Sequence, residues 1–349
     1  MTPEPPRAWI KDILRTLECW RTKSDGVVIS PDIDGLLSAL IAKRMFGARI
    51  VGIYTTKDII LLDGASSDDA LSALWLDLDI DDPRALCIGQ HLIQIDCSTD
   101  KLTRRHPASF NPNVQFLQDY KRSFRGVRGL ARDKYPFGAT HLLISALDLN
   151  YPEPGTKGRA AFAHADGAWV NALKYGANVR RWRDLMFFDD QFVTTLTEGY
   201  IEEPRALEVH SALVSDLQAM GVAAGTSGDA SRDSHVPTHW QAIQGNQSVR
   251  FPQNGYDAKR ILMVQNGVAK VRAVARYLSS ILDWEQILEP LVPTGLIRGR
   301  VGNRHPREIE ALTLDMFLDR YDVFSHAIIF QHVLRYTDGI DFCNIEHII

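Results

Sequence analysis

The chain has 349 residues, 45% of them hydrophobic, which is enough to bury one large core and more readily two unequal ones. A net charge of −4 supplies no global field for non-specific nucleic-acid binding, so contact with phosphate has to come from local patches. The four cysteines, Cys19, Cys87, Cys97 and Cys343, show neither CxxC nor CxxH spacing, which speaks against a zinc site or a disulfide framework and for a reducing, cytoplasmic setting.

The N-terminal segment lacks a continuous apolar signal core, and no later stretch approaches the roughly 20 apolar residues that span a bilayer, so no membrane anchor is expected. Trp9, Ile10, Ile13, Leu14, Leu17 and Trp20 recur at three- and four-residue intervals, predicting an amphipathic helix over residues 8–23. After a turn at Ser24-Asp25-Gly26, Val27-Val28-Ile29-Ser30 is a short β-branched run. Pro31-Asp32-Ile33-Asp34-Gly35 then leads into a helical pattern from Leu36 to Phe46. Gly47 closes that helix, and residues 49–54 supply a second strand, completing a βαβ unit with parallel strands. The expected fold class is therefore α/β, with a parallel sheet in the N-terminal domain.

Further strands are expected at residues 86–88 and 92–95, and helices around 141–147 and 169–175. Later, helical spacing recurs at 206–220, 256–284 and 316–336, and residues 225–234 are polar and rich in glycine and serine. The expected division is an α/β domain over 1–200 and a second, largely helical or α+β domain over 201–349 for substrate binding or interaction. A flexible loop is expected near 221–248.

Asp32 and Asp34 stand where the first strand hands over to a helix, the place at which open α/β sheets hold ligands. Their i, i+2 spacing points two hard oxygen donors the same way, as a divalent cation requires, whereas Asp34 alone also reads as a helix cap. Asp96 follows the apolar run 92–95, at the carboxyl end of an expected strand. In His164-Ala165-Asp166-Gly167 an imidazole and a carboxylate are close enough in sequence to reach one metal. Two basic stretches stand out. Lys121, Arg122, Arg125, Arg128, Arg132 and Lys134 interleave with Tyr120, Phe124 and Tyr135, which suits phosphate contact and base stacking, or else a solvated helical face. In Arg298-Gly299-Arg300, continuing to Arg304 and His305, glycines permit close backbone approach and arginines fork onto phosphate oxygens.

Over residues 24–170 these segments resemble the DHH phosphoesterase superfamily. The resemblance is carried by Ser30-Pro31-Asp32-Ile33-Asp34-Gly35-Leu36-Leu37-Ser38-Ala39, by Gln94-Ile95-Asp96 and by His164-Ala165-Asp166-Gly167. No Asp-His-His occurs, and the segment from His106-Pro107 to Asn111-Pro112-Asn113 stands nearest to that motif's neighbourhood. The resemblance implies one or two Mn²⁺ or Mg²⁺ ions held by Asp32, Asp34, Asp96 and Asp166, with His106 or His164 completing the shell or protonating the leaving oxygen. It implies hydrolysis of phosphodiester bonds in short or single-stranded nucleic acid or in a (cyclic) nucleotide. The substrate phosphates are then expected on the two basic stretches, at Arg298, Arg300, Arg304 and His305 and at Arg125 and Arg128, the first of which stands where the family carries a substrate-binding domain without matching its motif.

Two other readings stay open. One is a catalytically inactive, nucleotide- or nucleic-acid-binding or regulatory protein of the same fold. The other is an ATP-pyrophosphatase-like loop at residues 29–35, where Pro31 and Asp32 replace the glycines that cradle pyrophosphate. A homo-oligomer or a protein partner is compatible with each.

Overall fold

The expected βαβ unit is present. Helix α1 (Ala8–Arg21) precedes β1 (Gly26–Ile29), α2 (Ile33–Phe46) and β2 (Arg49–Tyr54), and β1 and β2 pair in parallel. Next come β3 (Ile59–Leu62), α3 (Ser67–Ser72), β4 (Leu74–Leu76), β5 (Leu86–Ile88) and α4 (Pro112–Phe116). A run of helices follows: α5 (Ala139–Ala146), α6 (Lys157–His164), α7 (Ala168–Lys174), α8 (Gly176–Met186), α9 (Gln191–Glu198) and α10 (Ala206–Ala219). The short β6 (Ala223–Ala224) and β7 (Gln247–Ser248) precede the long α11 (Ala258–Ile281). The chain ends with β8 (Pro293–Ile297), β9 (Arg300–Arg304), α12 (Leu314–Arg320), β10 (Val323–Ile329), β11 (Val333–Asp338) and β12 (Ile345–His347). The computed structural model describes residues 8–95, 100–117, 133–187, 189–224, 247–248, 258–284, 290–304, 313–329 and 333–348. Among them no helix is long and apolar enough to cross a membrane.

Two compact units emerge, and neither is continuous in sequence. The sheet unit takes Asp12–Ser30, Gly47–Tyr135 and Val292–Ile349, and the helical unit takes Met1–Lys11, Pro31–Phe46 and Pro136–Leu291. A division at residue 200 therefore does not describe the chain. The physical reason is strand pairing: β8 and β12, from the C-terminal end, complete the sheet that β1 begins.

That sheet has the order β12-β8-β3-β2-β1-β4-β5. Its parallel part is β2-β1-β4-β5, and the pairs β2-β3, β3-β8 and β8-β12 are antiparallel, so the sheet is mixed rather than purely parallel. Every residue of β1, β3, β4 and β5 is buried, which accounts for their unbroken apolar runs. Trp75 sits at the centre of this core, fully buried, with its ring edge-on to Tyr54 at 5.9 Å and to Phe324 at 5.6 Å.

Two local expectations are corrected. Residues 316–336 are not one helix: α12 stops at Arg320, and β10 and β11 form an antiparallel hairpin with β9 at its far edge. Their apolar spacing serves a strand because Leu334 and Tyr336 pack with Val323, Phe317 and Leu318 on one face of the three-stranded sheet. Residues 92–95 are not a strand either. They run beside β10, where the Leu92 carbonyl accepts the Ile328 amide at 2.8 Å and the Ile93 carbonyl accepts His326 Nε2 at 2.8 Å.

His326 joins this sheet to the rest of its unit. Its Nδ1 lies 2.5 Å from Asp81 Oδ2. Burial pulls its pKa down, but Asp81 and the Ile93 carbonyl outweigh burial and raise it. With an acceptor on each ring nitrogen, the imidazolium is the form that satisfies both.

In the helical unit α2 is buried through Ala42, and it packs against α5, α6 and α11. A helix surrounded in this way has no solvent face, which explains the nearly uninterrupted apolar run from Leu36 to Ala42.

Removal of the Trp75 side chain tests the core argument. Trp75→Ala should lower unfolding free energy by about 3–5 kcal/mol, the usual cost of truncating a buried aromatic. Urea denaturation with an unchanged slope measures it, and a loss under about 1 kcal/mol would show that the core collapses around the gap.

Candidate functional site

Asp34 lies in the first turn of α2 and is fully buried. Its two oxygens accept the first amides of α5: Oδ2 takes the Ala139 N–H at 2.7 Å and Oδ1 the Thr140 N–H at 2.9 Å. One carboxylate thus caps a helix that begins more than a hundred residues later. The approach is close enough that residue 138 has to be glycine, because a Cβ there would stand 2.5 Å from Asp34 Oδ1. The Gly138 N–H donates in turn to His141 Nδ1 at 3.1 Å, and the His141 ring stacks on Phe192. Burial pushes His141 down to about 4, so the ring is neutral and structural.

Asp32 and Asp166 both act on Asp34 through their charges. Asp32 is half-buried and its Oδ1 accepts the Gly35 N–H at 2.9 Å, so it is the N-cap of α2. Asp166 occupies a left-handed turn between α6 and α7, with φ of 47° followed by Gly167 at 66°. Burial, then the charges of Asp32 and of Asp166, push the Asp34 carboxyl up to about 7, and the Thr140 and Ala139 amides pull only part of the way back.

The sheet unit holds a second polar cluster at the carboxyl ends of its parallel strands. β1 pairs with β2 on one side and β4 on the other, so the strand order reverses between β1 and β4, the place where α/β sheets open a ligand crevice. Ser30 follows β1, Asp77 and Asp79 follow β4, and Gln90 and His91 follow β5. The Ser30 hydroxyl and the Gln90 side-chain amide both donate to Asp77. Asp79 is ion-paired to Arg105 at 2.7 Å and accepts from Asn111 Nδ2 at 2.9 Å and from the His91 backbone at 3.1 Å. Burial drives the Asp79 carboxyl up, but Arg105, His91 and Asn111 together outweigh it and hold it at about 2. The His91 ring, 41% exposed, keeps Nδ1 3.5 Å from Asp79. An accessible imidazole beside a fixed carboxylate is suited to proton exchange with a ligand.

None of Asp77, Asp79, Gln90, His91 or Arg105 was among the residues singled out from the sequence. The available signal was the alternation Leu76-Asp77-Leu78-Asp79-Ile80-Asp81 after an apolar strand, with Gly89-Gln90-His91 after the next.

The remaining sequence candidates separate from these clusters. His106 is a turn residue whose Nδ1 accepts the Ala108 N–H at 3.1 Å, and burial, then Lys23, lower its pKa. His164 is fully buried, with its ring 4.6 Å from that of His210 and 6.1 Å from that of Trp169. The arginines expected to hold phosphate have acidic partners instead: Arg298 pairs with Glu346 on β12, and Arg300 pairs with Asp338 on β11 at 2.9 Å, directly across the strands. Gly302 lets the Tyr336 ring lie against the backbone, since a Cβ would stand 2.2 Å from that ring. Arg304 is exposed on β9. Asp96, Arg125, Arg128 and His305 lie outside the described residues. Compared with protein-family models, curated proteins and solved structures, the chain matches none.

The raised Asp34 carboxyl gives a pH signature. Its folded pKa near 7 exceeds the value of about 3.9 in an unfolded chain, so the native state binds the extra proton between them. This contribution is complete below pH 4 and is lost as pH rises through 7. In chelator, the melting temperature of wild type should therefore fall across that window by more than that of Asp34→Asn. Parallel melting curves for the two proteins would show that Asp34 does not titrate there.

Proposed function

We propose that the chain is a divalent-cation-dependent phosphoesterase whose chemistry is built on Asp32, Asp34 and Asp166. Its substrates are phosphodiesters of short or single-stranded nucleic acid or a (cyclic) nucleotide. The observation that carries this reading is a fully buried carboxylate, Asp34, whose ionisation is opposed by the charges of Asp32 and Asp166. Like charges in a low-dielectric place are unfavourable without a proton or a cation between them, and carboxylate oxygens are the donors that Mn²⁺ or Mg²⁺ takes. The likeness of residues 30–39 and 164–167 to the DHH phosphoesterases points the same way.

The donor chemistry fits a hard cation, and Asp32, Asp34 and Asp166 are the residues that would hold it. Among the described residues, no three His, Cys, Asp or Glu side chains are grouped so as to hold a metal by themselves. Completion of the shell therefore falls to substrate oxygens or water. When bound, such an ion polarises the phosphodiester and activates water. The chain's own contribution is to fix its acids: the α5 amides orient Asp34, and the Gly35 amide orients Asp32 as the N-cap of α2.

A non-catalytic nucleotide- or nucleic-acid-binding protein on the same fold is the second reading. It rests on the α5 amides, which already engage both oxygens of Asp34, so that residue has a full structural role without any metal.

Mn²⁺-dependent hydrolysis of short RNA, short DNA and cyclic dinucleotides, measured beside Mn²⁺ calorimetry, separates the two. Asp34→Asn and Asp166→Asn should each lower turnover by more than about 100-fold, the upper end for residues that only support a metal ligand. Mn²⁺ affinity should fall with turnover while the circular dichroism stays native. A wild-type protein that neither binds Mn²⁺ nor cleaves any substrate hands the assignment to the binding reading. His91→Ala, assayed alongside, reports whether the carboxyl edge of the sheet takes part.

A further inference from the structure

His326 of β10 bridges the two stretches that carry the polar cluster at the carboxyl ends of the sheet. Its Nδ1 meets Asp81, two residues beyond Asp79 on the stretch after β4, and its Nε2 meets the Ile93 carbonyl, two residues beyond His91 on the stretch after β5. Both contacts are buried and lie inside the sheet unit. Backbone bonds run beside them: the Asp81 N–H donates to the Phe324 carbonyl at 2.7 Å, and the Ile328 N–H donates to the Leu92 carbonyl at 2.8 Å. One ring therefore sets the spacing between the stretches that bear Asp79 and His91.

Two acceptors flank this ring, and that fixes its proton count. A neutral imidazole carries one N–H, so it can donate to Asp81 or to the Ile93 carbonyl but not to both. The other nitrogen then turns a lone pair toward an oxygen lone pair, and a buried acceptor loses its donor.

The neighbouring elements present few other charges to the ring. Asp79 adds to the pull of Asp81, although Arg105 pairs with it at 2.7 Å. On β11, Tyr336 stands directly across from His326 and packs on Phe317 of α12, while Arg335 stands across from Ala327. On β2, the Tyr54 hydroxyl shares a hydrogen bond with Ser325. Folded, the ring keeps its proton to a higher pH than a free histidine, whose value is about 6.5. The contribution of the charged ring is thus complete below about pH 6.5 and is lost as pH rises through the folded value.

We propose that His326 is a pH-operated clamp on the crevice: as the imidazolium it holds the stretches bearing Asp79 and His91 at one spacing, and on losing its proton it lets one of them go. Hydrogen exchange and histidine-ring NMR on the full chain, from about pH 6 to about pH 10, test this. The His326 ring should titrate with a midpoint above that of a free histidine, and the His91 ring signals should shift at the same pH. Protection of the Ile328 amide, corrected for intrinsic exchange, should fall at least about tenfold through that midpoint, the scale of one lost buried hydrogen bond, while the Val28 amide keeps its protection. His326→Gln should show the low Ile328 protection at every pH, and Asp81→Asn should move the midpoint down. Where His326→Gln fails to fold, wild type and Asp81→Asn decide. A His326 ring that stays neutral throughout, pH-independent protection of Ile328, His91 signals that do not move at the His326 midpoint, or a His326→Gln protein that keeps the step overturns the proposal.

Discussion

A carboxylate sealed from solvent has to find donors inside the protein, and Asp34 finds them in the first amides of α5. Asp34 belongs to the first turn of α2, so the starts of two helices face one negative group and both dipoles favour its charge. Against them stand burial and the charges of Asp32 and Asp166, which win. The helical unit is thus organised around a group held between charged and neutral. A site balanced in this way responds strongly to one added positive charge.

Much of the N-terminal architecture was legible because the local signals agree with one another. β-branched runs mark β1 and β2, a continuous apolar stretch marks the buried α2, and glycines mark its ends. Asp32, Asp34 and Asp166 were legible too, since two of them sit at a strand-to-helix junction and the third precedes a glycine that a left-handed turn uses. The other carboxylates were not. Asp77, Asp79 and Asp81 drew no notice in the sequence, yet all three are buried, each matched by a partner distant in sequence: Ser30 and Gln90, Arg105 and Asn111, and His326. Period-two alternation is as compatible with a wet loop as with a buried one, and only the tertiary partners decide.

The helices expected over 206–220 and 256–284 are present, but the segment from 316 to 336 was misread for a related reason. Apolar residues from Phe317 to Tyr336 satisfy helical and strand periods in turn, and the break at Arg320 carries neither glycine nor proline to announce it. Arg298 and Arg300 looked like free cations because their acids lie on neighbouring strands, 48 and 38 residues away. Charge runs read from a strand-rich segment overstate anion binding whenever the opposite charge arrives across the sheet.

The sheet closes late. β3 is a strand of four buried aliphatic residues, and its outer partner β8 pairs Leu296 with Ile60, far along the chain. Contacts so distant in sequence form slowly, and an uncovered apolar edge presents unpaired backbone groups to any other strand nearby. During synthesis that edge has to wait while the whole run of helices between β5 and β8 is made. The interval before β8 is made is therefore when the growing chain is most open to pairing with a neighbour along β3.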